Sequence, residues 1–136
     1  MHDPKDVVVP LYRDCFTVNR NTDVAAAMGK LLAEDFQSFG SVEIKTKAQL
    51  IGQIQFFWQL VPDLAWEPQE IFTAGSKVIV RSIASGTPNG DFMGLPTTGA
   101  KSFRIMTIDI HTVEGSQVRS VHHLEDWVTA MKQLKG

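Results

Sequence analysis

Only one cysteine occurs in the 136 residues, so neither an internal disulfide nor a thiolate metal site can form. Cys15 lies in an apolar helical stretch, where a buried, inert thiol is expected. Charge of one sign is scarce too. Thirteen Lys and Arg against fifteen Asp and Glu leave a formal net charge of −2, too weak a field to draw nucleic acid or an anionic lipid surface. No apolar run approaches the length of a membrane span. Asp3, Lys5 and Asp6 precede any apolar segment, so the organisation of a signal peptide is missing, and a cytoplasmic protein is expected. Also absent are a histidine–carboxylate cluster at metal-ligand spacing, a serine in a nucleophile elbow, and a phosphate loop with its lysine. Neither a metal nor another cofactor is expected.

What is present is ordinary soluble composition, 43% hydrophobic and 21% charged. A chain of this length folds as one domain over 1–136 and can bury about two-thirds of its unfolded surface. Asp3-Pro4 marks a helix start, a capping acid followed by proline. Leu11, Tyr12, Cys15 and Phe16 give that helix one apolar face, with Pro10 either bending it or beginning it. A second helix is predicted from Asp23, with Val24, Ala27, Met28, Leu31 and Leu32 inward, closing at Glu34-Asp35. Phe36 to Ile44 is a mixed segment with Phe36 and Phe39 inward, and Thr46 caps a third helix that Pro62-Asp63 stops.

From Trp66 the period changes from helical to alternating. Strands are predicted over 70–73, 77–85, 102–113 and 117–124, with Glu114-Gly115-Ser116 as a hairpin turn and a final helix from Asp126. Helices first and a mostly antiparallel sheet afterwards is the pattern of an α+β domain with helices packed on one face. Between the strands lies Gly86-Thr87-Pro88-Asn89-Gly90-Asp91-Phe92-Met93-Gly94-Leu95-Pro96-Thr97-Thr98-Gly99. It holds four glycines and two prolines, yet Phe92, Met93 and Leu95 are interleaved as buried anchors, so an ordered corner is expected rather than a linker.

That corner resembles the turn G-T-H-x-G-x-F-x-G-x-P-x-T-G of the SnoaL-like polyketide (ester) cyclases, departing only where Pro88 stands for the histidine. Asp35-Phe36, Pro62-Asp63-Leu64 and Gln133-Leu134 extend the similarity over nearly the whole chain. The resemblance implies the cone-shaped nuclear transport factor 2-like fold, in which a strongly curved sheet wraps helices around a deep pocket. It also implies intramolecular aldol ring closure driven by an acidic residue in the last strand.

In this chain the matching position is His123, within Val121-His122-His123-Leu124-Glu125-Asp126. Neighbouring side chains on a strand point to opposite faces, so His123 is expected in the pocket and His122 on the surface or at a subunit interface. A neutral imidazole can accept a carbon-acid proton and return it, so His123 is the candidate acid/base; a satisfied core histidine is the plainer alternative. Where the resemblance implies polar residues that polarise carbonyls, the chain has Met106 and Ile108, which predicts a drier floor. Arg104 shares their parity and could hold an oxyanion at the rim.

Asp126 is expected to cap the last helix, with a possible second role orienting His123. Arg81, in an apolar run, requires a partner, either Glu70 or Asp109. Phe36, Trp58 and Phe92 are core aromatics expected, with Met106 and Ile108, to line the ligand cavity. His2 is expected at a disordered terminus and His111 near the hairpin end. Phe103, Ile105 and Thr107 would then form an exposed face, and the resemblance implies a homodimer packed through it.

The leading expectation is a cofactor-independent enzyme performing ring closure, isomerisation or dehydration on an apolar or polycyclic carbonyl compound. Two other readings stand beside it: a non-catalytic binding domain for an apolar ligand, and an epoxide-hydrolase-like or hydroxylase-like activity.

Overall fold

Asp3 accepts a hydrogen bond from the Lys5 amide at 3.1 Å and so caps α1 (Pro4–Asp14). The computed structural model describes residues 3–136, and His2 lies outside them. Pro10 sits inside α1 and neither begins nor ends it. Asp23 caps α2 (Val24–Leu31) through the Ala26 amide at 3.1 Å. This helix stops short of Glu34-Asp35, because Leu32 is already extended and buried and opens β1 (Leu32–Phe39). Within β1 Phe36 and Ser38 face the core. Phe39, expected inward, has the opposite parity and stacks on His122 with centroids 4.6 Å apart.

After the short β2 (Ile44–Thr46), Thr46 and Gln49 form a reciprocal capping box that starts α3 (Lys47–Leu60). β3 (Ala65–Ala74), β4 (Lys77–Gly86), β7 (Phe103–Glu114) and β8 (Gln117–Glu125) are the long strands, and α4 (Trp127–Lys135) closes the chain. The curved six-stranded sheet runs in the order β2-β1-β8-β7-β4-β3; all pairs are antiparallel except β1 with β8. The helices pack on its inner face, as the α+β reading predicts. Among the described residues, no helix is long and apolar enough to cross a membrane.

The glycine-rich corner is ordered. Its two short strands, β5 (Asp91–Phe92) and β6 (Leu95–Pro96), form a hairpin whose turn residues Met93 and Gly94 have φ of 53° and 86°. Two positive angles in succession mark the tight turn that matches strand twist. Phe92 is fully buried, whereas Met93 projects outward, contrary to its expected role as an anchor. Asp63 ties the corner to the end of α3, accepting from the Thr87 amide and hydroxyl, each at 2.7 Å. Gly86 is required where the chain crosses Val61: a Cβ there would meet Val61 Cγ1 at 2.3 Å.

One irregularity in the last hairpin decides which residue of β7 pairs with His123. Glu114 pairs with Gln117 and Val113 with Val118, but Thr112 pairs with Ser120, so Arg119 is an extra residue. Such a bulge slips the register by one. Uniform pairing back from the turn would set His123 opposite Ile108; the bulge sets it opposite Asp109. β7 itself alternates without a break: Phe103, Ile105, Thr107, Asp109 and His111 are buried, and Arg104, Met106, Ile108 and Ile110 are exposed. This reverses the expected faces of β7: Phe103, Ile105 and Thr107 are core, not surface.

Candidate active site

Inside the cone the inner faces of β7 and β8 bring together two rungs, Asp109 opposite His123 and Thr107 opposite Glu125. His123 is half-buried, as its parity predicts, while His122 is exposed. The His123 ring leans on Gly40, where a Cβ would lie 3.6 Å from its Cε1 and Nε2. Its Nδ1 lies 2.7 Å from Glu125 Oε2, and the other oxygen of Glu125 accepts from Trp127 Nε1 at 3.2 Å. A carboxylate only accepts, so Nδ1 carries the proton and Nε2 is left as the basic nitrogen. The bond to Glu125 raises the imidazole above its ordinary pKa, against the opposing effect of burial.

Asp109 is buried at the floor of the same cavity. Burial pushes its carboxyl up to about 7, although the hydrogen bond from Tyr12 works in the other direction. Tyr12 Oη donates to Asp109 Oδ2 at 2.6 Å and lies 2.6 Å from His111 Nε2. His111, near the hairpin end as expected, is fully enclosed, and burial brings its pKa down to about 3. Thr107 accepts a hydrogen bond from Trp66 Nε1 at 3.0 Å, so the remaining polar rung is satisfied as well.

Around this floor Phe16, Ile54, Phe57, Trp66 and Trp127 form apolar walls, Ser38 and Gln53 add polar groups, and Met93 stands at the edge. The cavity encloses about 650 Å³ of empty space, counting the part open to solvent. Among the described residues that line it there is no lysine or arginine. A carboxyl at about 7 and an imidazole raised above its ordinary value, facing each other beneath aromatic walls, are equipped to take a proton at one atom and deliver one at another.

Several expected site residues lie elsewhere. Arg104, Met106 and Ile108 are on the outer sheet face, so none of them reaches the cavity, and the floor is polar rather than dry. Gln133 brackets the Arg104 backbone, accepting from its amide at 2.7 Å and donating to its carbonyl at 3.1 Å. Asp126 is exposed and caps α4, bonding the Thr129 amide and hydroxyl at 3.1 and 2.6 Å; Glu125, not Asp126, orients His123. Phe36, Trp58 and Phe92 are buried behind the cavity wall and do not line it; Trp58 Nε1 instead donates to the Cys15 carbonyl at 2.8 Å.

Arg81 pairs with Glu70 at 2.6 Å, one of its two expected partners. Cys15 is buried, and desolvation holds its thiol up at about 12, consistent with an inert role. Asp109, Glu125 and Tyr12 are additions; alternation along β8 does put Glu125 on the face of His123, whereas Tyr12 comes from the distant α1. Only the cross-strand partner of His123 could have found Asp109, and the bulge hid that partner.

Residues 6–134 match the family described as SnoaL-like polyketide cyclase. No curated protein matches the chain. The wild-type IdmH structure from Streptomyces antibioticus, a candidate polyketide cyclase, is similar at 25% identity with a TM-score of 0.84, covering 99% of this chain and 100% of that one. AclR from Streptomyces galilaeus, a candidate hydroxylase, has 15% identity and a TM-score of 0.82, covering 97% and 95% of the two chains. A protein from Catenulispora acidiphila with a ketosteroid isomerase-like fold has 14% identity and a TM-score of 0.76, covering 96% and 92%. The last two likenesses bear on the fold alone.

Proposed function

Since the chain belongs to the SnoaL-like polyketide cyclase family, we propose that it catalyses a cofactor-independent acid/base reaction on a small carbonyl compound. Ring closure, isomerisation and dehydration share the necessary first step, removal of a proton beside a carbonyl. His123 Nε2 is the base, and Glu125 stabilises the imidazolium that forms. Asp109, across the rung, serves in its neutral form as hydrogen-bond donor to the developing oxyanion, replacing Arg104 in that role. The aromatic walls suit a planar apolar substrate.

The observation that carries this reading is the 2.7 Å bond from His123 to Glu125 inside an apolar cavity. With Met106 and Ile108 outside, their dry surface no longer speaks for a purely ligand-binding domain. Two carboxylates in one cavity, Asp109 and Glu125, favour hydration of an activated ring as the second reading. That chemistry would incorporate solvent oxygen into the product, whereas ring closure would not.

The test is solvent-deuterium exchange and product formation across a panel of polycyclic and β-dicarbonyl esters. His123→Ala should keep its melting temperature and lose turnover by about 10²–10⁴-fold, the usual worth of a positioned acid/base. His123→Asp should retain part of it. Undiminished turnover in His123→Ala would remove the role.

We also propose a cytoplasmic homodimer that pairs through the outer sheet face. Met106, Ile108, Ile110, Leu124 and Phe72 are exposed there. Its flanks hold both signs of charge, Arg81 with Glu70 and Arg119 with Asp35 and Glu114, which suits a second copy related by a two-fold axis.

A further inference from the structure

The hydrogen-bond arithmetic around Tyr12 is over-constrained. Its hydroxyl oxygen lies 2.6 Å from Asp109 Oδ2 and 2.6 Å from His111 Nε2, but it has one proton to give. When Asp109 is ionised, that proton belongs to Oδ2. His111 must then supply the second contact, with the proton on Nε2 and none on Nδ1. The surroundings agree: His111 Nδ1 is buried without a partner, and a bare nitrogen there is cheaper to bury than an unpaired N–H on a charged ring. Oδ2 is thus occupied, and Oδ1, the oxygen not engaged by Tyr12, is where a proton can be gained or lost.

We propose that Tyr12 and His111 are positioning residues, a buried two-step relay that clamps one oxygen of Asp109 and leaves the other as its working atom. This deepens the acid/base reading above and rests on it for its catalytic meaning, but the relay itself is a property of the folded chain. It parallels the other half of the site. Glu125 holds Nδ1 of His123 and frees Nε2; Tyr12 holds Oδ2 of Asp109 and frees Oδ1. Each reacting group is oriented from behind by a side chain that need not touch substrate.

The charged and titratable neighbours of Asp109 are few. They are Tyr12 from α1, His111 on its own strand, and His123 and Glu125 from β8. From β4 its partner is the apolar Val80. His111 is flanked across the sheet by Val78 and Val121, and His123 is the charged group that acts on it. A hydrogen bond donated to the ionised form favours it, so removing the Tyr12 hydroxyl should make Asp109 harder to ionise.

The experiment is NMR titration of the intact protein, with 13C-labelled aspartate carboxyls and 15N-labelled histidine rings, and with Asp109→Asn and His111→Gln used for assignment. The wild type should show the His111 proton on Nε2. In Tyr12→Phe the Asp109 midpoint should move upward by about one pH unit, the equivalent of one ordinary hydrogen bond. His111→Leu, which removes the donor behind Tyr12, should move it in the same direction, and His111→Gln, which keeps a donor at the same reach, should restore it. An unmoved Asp109 midpoint in a folded Tyr12→Phe protein, or a proton found on His111 Nδ1, would overturn the relay. Because no substrate is needed, failure of the proposed reaction would show separately, as absent turnover in a wild type whose Asp109 responds as described.

Discussion

Along β7 the inner face turns from apolar to polar as the strand runs from Phe103 and Ile105 to Thr107, Asp109 and His111, while the outer face carries Met106, Ile108 and Ile110 over the same stretch. In an isolated antiparallel sheet the apolar face would be the buried one. Here the helices of the cone enclose polar groups, and those groups remain tolerable because nearly all are bonded: Asp109 and His111 to Tyr12, Thr107 to Trp66. The difference between the faces separates two jobs. The inner one concentrates titratable groups away from water, where their pKa values can move; the outer one offers area for association.

Placing one charge on each face should break that comparison most visibly. Ile105→Asp puts an unpaired carboxylate into the core beside Phe103 and should cost at least about 3–5 kcal/mol, enough to unfold a protein of ordinary stability. Ile108→Asp, three residues on, should cost the monomer only about 1 kcal/mol while dissociating the proposed dimer. Urea titration and light scattering, run on both variants, read the two effects separately. Equal destabilisation by the two substitutions would mean that the faces are not distinct.

A smaller effect follows from the polar end of the inner face. The Asp109 carboxyl is raised from 3.8 to about 7 in the folded chain, so its contribution is complete below pH 3.8 and is lost as pH rises through 7. His111 is lowered from 6.5 to about 3, so its contribution is complete above pH 6.5 and is lost as pH falls through 3. Between 3.8 and 6.5 the two slopes oppose each other. Removing one should expose the other: relative to wild type, Asp109→Asn should gain stability as pH is raised from 4 to 8, and His111→Gln as pH is lowered from 7 to 4. Urea midpoints at these pH values decide it, and parallel curves for all three proteins would contradict the assignment.

Local chemistry made much of this readable from the sequence. Asp3, Asp23, Thr46 and Asp126 all cap the helices they were expected to begin, and the glycine-proline corner is an ordered hairpin. That only one of His122 and His123 can face the cavity was also legible, because they adjoin, and the family resemblance selected His123. What strand alternation could not deliver was the parity of β7. Both faces of that strand carry apolar residues, Phe103, Ile105 and Val113 on one and Met106, Ile108 and Ile110 on the other, so hydrophobicity does not choose between them, and the one-residue bulge at Arg119 changes the partner of His123 from Ile108 to Asp109. The deciding contact, Tyr12 with Asp109, spans 97 residues and leaves no local signature.

The least expected energy sits at the mouth of the cavity, on Met93. Both it and Gly94 adopt positive φ, but only glycine does so without steric cost; for Met93 the left-handed conformation costs about 1 kcal/mol. Its side chain gains little in return from packing, since it is 48% exposed at the cavity edge. A strained residue with so little burial is better explained by what it covers than by what holds it. Met93→Gly should therefore raise stability by about 0.5–1 kcal/mol and loosen binding of an apolar ligand. Met93→Ala removes the same side chain but keeps the positive φ, so it should loosen binding without the gain in stability. Thermal melts and ligand titrations on the pair separate strain from coverage, and a Met93→Gly protein less stable than Met93→Ala would show that the turn holds no strain to release.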